Sequence, residues 1–262
     1  MPRFSANIST LFQDHPFLDR FRAARAAGFA AVECQFVDDH APETLKAAQR
    51  ENGLTFSVFS IPAGDLAAGE RGLACLPGRE ADFEATVETA LRYAEALDCP
   101  MLHCLAGLAP PGEGSDRLVE TLTENVRRAA AVAKPAGATI LLEPKNRRDM
   151  PGYMLADYDL ARRVIEAAAM DNVRLMFDVY HRQVIHGDLV QGLRDFRDLI
   201  GHIQIANPPG RREPGRGEID FRPVFAEIDA SGYDGWVGCE YIPQGATEDS
   251  LGWFEAYRER AD

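Results

Sequence analysis

The sequence predicts an α/β protein, a (β/α)8 TIM barrel forming one domain over residues 1–262. Three observations lead there. Short apolar runs rich in β-branched residues alternate with longer segments of helical period, the pattern of parallel βα units. Eight such runs occur, the number a closed barrel needs, in a chain whose 262 residues match the usual barrel length of about 250. No G-x-G-x-x-G follows the first run, so nothing argues for the dinucleotide crevice of an open doubly wound sheet.

In chain order the expected strands are residues 4–8, 31–35, 55–59, 101–105, 139–143, 173–178, 202–205 and 235–240. Helical stretches lie between them at 17–27, 42–51, 80–97, 117–134, 157–168 and 221–228, and a last helix closes the chain from about residue 247. Gly28, Gly53 and Gly232 each sit just past a helical run, where a C-terminal cap wants positive φ, and Pro42 suits a first helical turn. Two long loops rich in Gly, Pro and charge, 61–79 and 207–218, fall on the side where barrel enzymes carry their catalytic loops and are candidate lids.

Four successive strands end on a polar, metal-competent residue after an apolar run. Ile140-Leu141-Leu142 precedes Glu143, Leu175-Met176-Phe177 precedes Asp178, Ile203 precedes Gln204, and Trp236-Val237-Gly238-Cys239 precedes Glu240. Any one of these acids is more simply a helix cap or a surface residue. All four together would need four separate coincidences, whereas in a barrel the strand ends converge at the mouth. Three carboxylates and an amide oxygen form a hard ligand set suited to one divalent ion, magnesium or manganese, although cobalt and zinc stay open.

Other residues suit substrate. His181 follows Asp178 by three positions and fits a substrate contact better than a metal-bound water; His103, in the fourth strand, would line the pocket from below. His202 shares the inward face of Gln204 but lies deeper, as a hydrogen-bonded core histidine would, while His15, His40 and His186 read as loop or surface residues. Lys145 and Arg148 follow Glu143, and Arg211 and Arg212 follow Gln204; a guanidinium can grip a carboxylate through two hydrogen bonds, as a small acid substrate would require. Glu33, at the end of the second strand, is a further pocket candidate.

Composition limits the partners. Asp and Glu number 41 against 28 Lys and Arg, and a net charge of −13 repels phosphate backbones and anionic lipid heads, so neither nucleic acid nor a membrane is expected. Five cysteines, Cys34, Cys75, Cys99, Cys104 and Cys239, form no C-x-x-C pair and read as buried reduced thiols. The N-terminal MPRFSANIST lacks an apolar signal region, which together with the absence of a long apolar run points to the cytoplasm. Phe12, Phe36 and Trp253 suit a contact between copies of the chain in a homo-oligomer as well as they suit barrel core.

Across nearly its whole length the chain resembles the hydroxypyruvate isomerase family of the xylose-isomerase-like TIM barrels. The resemblance is carried by MPRFSANIS at the start, LACLPGRE at 73–80, EPKNRRDMPGYML at 143–155, DVYH at 178–181, HIQIANPPGRREP at 202–214, GEIDF at 217–221 and GCEYIPQGATEDSLGWF at 238–254. It implies metal ligands at Glu143, Asp178, Gln204 and Glu240, with Glu143 and Glu240 also the proton donor and acceptor of an isomerisation through an enediolate. The implied substrate is a small hydroxy-oxo acid, hydroxypyruvate giving tartronate semialdehyde; 2-oxo-tetronate isomerase and ketose 3-epimerase are the alternatives within the same superfamily. An endonuclease-IV-like hydrolase would need a His-rich three-zinc site and a basic surface, against which six histidines and the charge of −13 both speak.

Overall fold

A computed structural model describes residues 1–258. Eight parallel strands follow one another in chain order around a closed barrel. They are β1 (Arg3–Asn7), β2 (Ala31–Cys34), β3 (Thr55–Ser60), β4 (Met101–Cys104), β5 (Thr139–Leu142), β6 (Val173–Asp178), β7 (Ile200–Ile205) and β8 (Trp236–Cys239). The intervening helices are α1 (Asp19–Ala26), α2 (Pro42–Glu51), α3 (Glu80–Leu97), α4 (Ser115–Ala133), α5 (Tyr158–Ala168), α6 (Val179–Ile185), α7 (Leu189–Phe196) and α8 (Phe221–Ala230). A short α9 (Glu255–Arg258) follows.

The expected strands and helices are present, and three differences have physical causes. Strands β1, β2, β4, β5 and β8 stop one residue early, and at β5 and β8 this leaves Glu143 and Glu240 where the backbone leaves the ladder. Helices α6 and α7 were not expected between β6 and β7. At seven and eight residues they are too short to display a period, and α6 starts because the Asp178 carboxylate caps it, Oδ1 accepting from the Tyr180 N–H at 2.7 Å and the His181 N–H at 3.4 Å. Instead of one closing helix from residue 247, a 3-10 turn at Glu248–Ser250 precedes α9; the remainder of that expected helix, past residue 258, lies outside the described residues. Gly28 and Gly53 do adopt the left-handed conformation that their positions demanded, with φ of 95° and 61°.

The chain divides into two compact units. The first comprises Met1–Gln35, Glu43–Ser57 and the chain from Phe177 onward. In it β1 pairs with β2 (Asn7 opposite Glu33) and with β8 (Ala6 opposite Cys239), and β8 pairs with β7 (Gln204 opposite Gly238). Phe4 is packed edge-on by Phe225, Trp253, Phe254 and Tyr257 at centroid distances of 5.1–5.8 Å, and Phe29 stacks on Phe254 at 4.5 Å. Trp253 packs into this cluster while staying half-buried, and Phe12 is fully buried with its N–H donated to Thr247 Oγ1 at 2.6 Å. Phe12 is thus core, while Phe36, like Trp253, is half-buried.

The second unit, Phe36–Pro42 and Val58–Met176, carries β4 paired with β3 (Ser60 opposite His103) and with β5 (Cys104 opposite Leu142), and β5 paired with β6. Val58, Leu141 and Met176 form its apolar cluster, with Met101 against them. No helix among the described residues is long and apolar enough to cross a membrane.

All five cysteines are buried and none forms a disulfide. Burial pushes the Cys75 and Cys104 thiols up to about 12, and Cys239 well above the ordinary thiol value. A raised pKa keeps the group protonated, and it is the thiolate that reacts. Ellman's reagent at pH 8 should therefore leave the folded chain unlabelled over minutes and label all five thiols in denaturant. Rapid labelling of a native thiol would contradict this packing.

Candidate metal and active site

The polar residues of the first unit occupy alternate inward positions of otherwise apolar strands. Ser5 and Asn7 lie on β1, Glu33 on β2, Ser57 on β3, and His202 and Gln204 on β7. All six are buried. Glu33 is wholly buried and gathers the others. Its Oε1 accepts from Asn7 Nδ2 at 3.1 Å and from Gln204 Nε2 at 2.7 Å; its Oε2 lies 2.9 Å from His202 Nε2 and 3.4 Å from Ser57 Oγ, which in turn is 2.8 Å from Ser5 Oγ. The carboxylate fits only because β8 has Gly238 at this point, where a Cβ would come within 2.3 Å of both Glu33 oxygens.

Asp178 ends β6, Glu240 follows β8 directly, and Gln204 lies one residue before the end of β7. Capping of α6 occupies Asp178 Oδ1, and Oδ2 takes the Arg211 Nη2 donor at 2.8 Å. The same nitrogen reaches Glu240 Oε2 at 2.6 Å, while Gln35 Nε2 donates to Glu240 Oε1 at 3.0 Å. One guanidinium thus bridges two acids, at the place where a cation is most favourable. His181 is buried beside it, Nε2 lying 3.7 Å from Asp178 Oδ2 and 3.4 Å from Arg211 Nη1. Gln204 Oε1 is buried and has no hydrogen-bond partner.

Arg211 is aimed by a well-built loop. Asn207 and Arg212 exchange both backbone hydrogen bonds at 2.7 Å, and the Asn207 side chain closes the loop onto Ile219, accepting from its N–H at 2.9 Å and donating to its carbonyl at 3.2 Å. Between them Arg211 is held at a φ of 58°, unusual for a residue with a side chain, and its Nε donates to the Glu240 carbonyl at 3.0 Å. Arg212 turns the other way and donates to the Ile242 carbonyl at 3.1 Å.

In the second unit the buried acid is Glu143. Ser60 Oγ lies 3.1 Å from His103 Nδ1, which leaves His103 Nε2 3.2 Å from Glu143 Oε2, and the buried Lys145 ammonium pairs with that same oxygen. Lys145 is itself fixed through its N–H to the Leu155 carbonyl at 3.0 Å, and Tyr153 locks the segment by accepting the Ala106 N–H at 2.8 Å. Arg148 is exposed, because Asn146 Oδ1 accepts the Asp149 N–H and folds residues 146–149 into an outward turn. Glu143, Asp178 and His181 each hold a buried ligand atom of a kind a divalent ion takes.

Of the residues expected to contact substrate, His103, Lys145, His181 and Arg211 are thus buried or half-buried among acids, whereas Arg148 faces solvent and Arg212 ties its loop to the segment after β8. Gln35, Asn7 and Ser57 were not among the expected site residues, and the pocket candidate Glu33 is wholly buried with Gln204 donating to it. The available signal was the alternation of polar residues along β1 and β7.

Residues 21–257 match the family model described as the xylose isomerase-like TIM barrel. The chain is 47% identical over 262 residues to 2-oxo-tetronate isomerase of Cupriavidus necator, covering 99% of this chain and all of that protein. It is 44% identical over 258 residues to hydroxypyruvate isomerase of Escherichia coli, covering 98% of this chain and all of that one. Among solved structures it resembles one described as AP endonuclease, family 2, from Brucella melitensis, with a TM-score of 0.97, 43% identity, and coverage of 98% and 100% of the two chains.

The close approach at Gly238 supplies a test. Gly238→Ala forces the Glu33 carboxylate out of its bonds, and overpacking of this kind costs about 1–3 kcal/mol. Urea unfolding should show that loss, and a wild-type midpoint would contradict the packing of Glu33 against β8.

Proposed function

The chain belongs to the xylose isomerase-like TIM barrel family, and on that premise we propose that it is a metal-dependent isomerase converting hydroxypyruvate to tartronate semialdehyde. The observation that carries the metal reading is Gln204 Oε1, a buried acceptor without a hydrogen-bond partner, in the same unit as two acids that share one cationic donor. Such an oxygen is costly to bury unless something electropositive meets it. Glu143, Asp178, Gln204 and Glu240 would hold the ion, and these hard oxygen donors suit magnesium or manganese. When bound, the ion supplies Lewis-acid stabilisation of the negative charge that develops on the substrate oxygens.

The chain's own residues account for the rest. The reaction removes a proton from the hydroxyl-bearing carbon, C3, and returns one to the carbonyl carbon, C2, through an enediolate; the O3 proton is lost and O2 gains one, so no oxidant or reductant is needed. Glu143 and Glu240 divide this proton work. Lys145 and His103 fix the orientation of the Glu143 carboxylate through Oε2, and Gln35 and Arg211 fix that of Glu240. Arg211 and Lys145 are the cations within these clusters that suit the substrate carboxylate, and His181 is the neighbouring imidazole for a substrate hydroxyl.

A 2-oxo-tetronate substrate is the second reading, favoured by the 47% identity to the Cupriavidus protein. Both substrates are 2-oxo acids and need the same proton chemistry. Relative kcat/KM for the two, measured on one metal-loaded preparation, separates them. The endonuclease description of the Brucella structure does not suit the acidic balance of this chain, whose charge of −13 disfavours a DNA surface.

Glu143→Gln and Glu240→Gln should each lower kcat by about 100-fold or more, the usual cost of losing a general acid or base, with metal still bound. Near wild-type turnover in both would sink the two-glutamate scheme. Hydroxypyruvate should also be preferred over dihydroxyacetone, and Arg211→Ala should cut that preference by at least about tenfold, the worth of one charge-assisted hydrogen bond. Equal kcat/KM for the two compounds in the wild type would remove Arg211 and Lys145 from substrate binding.

A further inference from the structure

A carboxylate can only accept hydrogen bonds, so the group that Gln204 turns toward Glu33 Oε1 at 2.7 Å must be its NH2. Gln204 Oε1 is thereby turned away from Glu33, and it is this oxygen that is buried with no hydrogen-bond partner. The reverse amide orientation would set oxygen against carboxylate and direct two N–H groups at the other side. Glu33 touches none of Asp178, Glu240 or Arg211 in any described hydrogen bond, yet it is wholly buried, holds contacts to Asn7, Ser57, His202 and Gln204, and occupies space that β8 leaves by having glycine at 238. Burying an acid this deeply costs several kcal/mol before its bonds are counted, and an apolar side chain would fill the space more cheaply.

We infer that Glu33 is a positioning residue that locks the Gln204 amide in the single orientation presenting its oxygen as a cation ligand. The inference rests on the metal reading above. It carries a rule for position 204: the side chain there must offer a donor to Glu33 and a lone pair to the ion. Glutamine meets both demands. An ionised glutamate fails the first, since two acceptors would then face each other in a buried site.

The rule predicts that the effect of Glu33→Gln reverses with the residue at 204. With Gln204 present, the substitution replaces an obligatory acceptor by an amide that can present either face, and ligand orientation loosens. In the Gln204→Glu background the same substitution instead provides a donor for the new carboxylate and relieves the repulsion.

The test is calorimetric titration of Mn2+ into metal-stripped full-length protein for the wild type, Glu33→Gln, Gln204→Glu and the double variant, with a thermal melt of each apo form. Glu33→Gln should weaken Mn2+ binding in the wild type and strengthen it in Gln204→Glu, the two effects differing by at least about tenfold, as expected when a residue that orients a metal ligand is altered. The same effect of Glu33→Gln in both backgrounds overturns the positioning role. If Gln204→Glu does not fold, Gln204→Met takes its place: Glu33→Gln should then change Mn2+ affinity less than it does beside Gln204, and an equal change overturns the inference. Failure of the wild type to bind Mn2+ would instead remove the metal reading itself, so the two failures are told apart.

Discussion

Four carboxylates taken out of water set the terms for the rest of the molecule. Glu33, Asp178, Glu143 and Glu240 are all buried, and each would be untenable without compensation worth several kcal/mol. Different devices supply it. Glu33 is met by polar side chains from three strands, His202 among them, Asp178 by the N–H groups of a helix it caps and by a guanidinium, Glu240 by an amide and that same guanidinium, and Glu143 by a lysine with a histidine beside it. Gly238, the left-handed Arg211 and the Asn207-closed loop are consequences, each making room for one of these bonds or aiming it. Folding alone gives no reason to keep so much negative charge inside.

A division of labour follows from position along the strands. At the ends, where the backbone leaves the ladder, side chains have freedom to point outward, and there the acids meet an arginine and a lysine held in place by their own segments. One pleat lower, side chains alternate strictly between faces, and the polar residues can only bond one another across strands. In the proposed scheme the bonds among these deeper residues set orientation, and the acids at the strand ends would carry the proton chemistry.

Much of this was legible in the sequence, for definable reasons. Strand ends are marked by an abrupt change from apolar to polar, which is how Glu143, Asp178, Gln204 and Glu240 stood out before any coordinates. Helices α3, α4 and α5 are long enough to show a period. Helix α6 was invisible because its start depends on which way Asp178 points, and nothing in the residue types of 179–185 reports that. The partners of the pocket candidate Glu33 could not be named in advance, since they depend on register, here Asn7 opposite Glu33 and Gln204 opposite Gly238, and register is not written in a single strand. Arg211 and Arg212 are adjacent and chemically identical, and only the turn between Asn207 and Arg212 decides that one faces the acids and the other the Ile242 carbonyl beyond β8.

The central claim, that paired glutamates move a proton between neighbouring carbons of a short oxo acid, is tested most directly by proton NMR of hydroxypyruvate turned over in deuterated water by the manganese- or magnesium-loaded protein. The account predicts that tartronate semialdehyde acquires solvent deuterium at C2, and that recovered hydroxypyruvate gains it at C3 as the reaction reverses, because a carboxylic acid proton exchanges with water. Product formed with protium alone at C2, at a rate that exceeds the uncatalysed one, would contradict an exchangeable proton transfer and with it the mechanism.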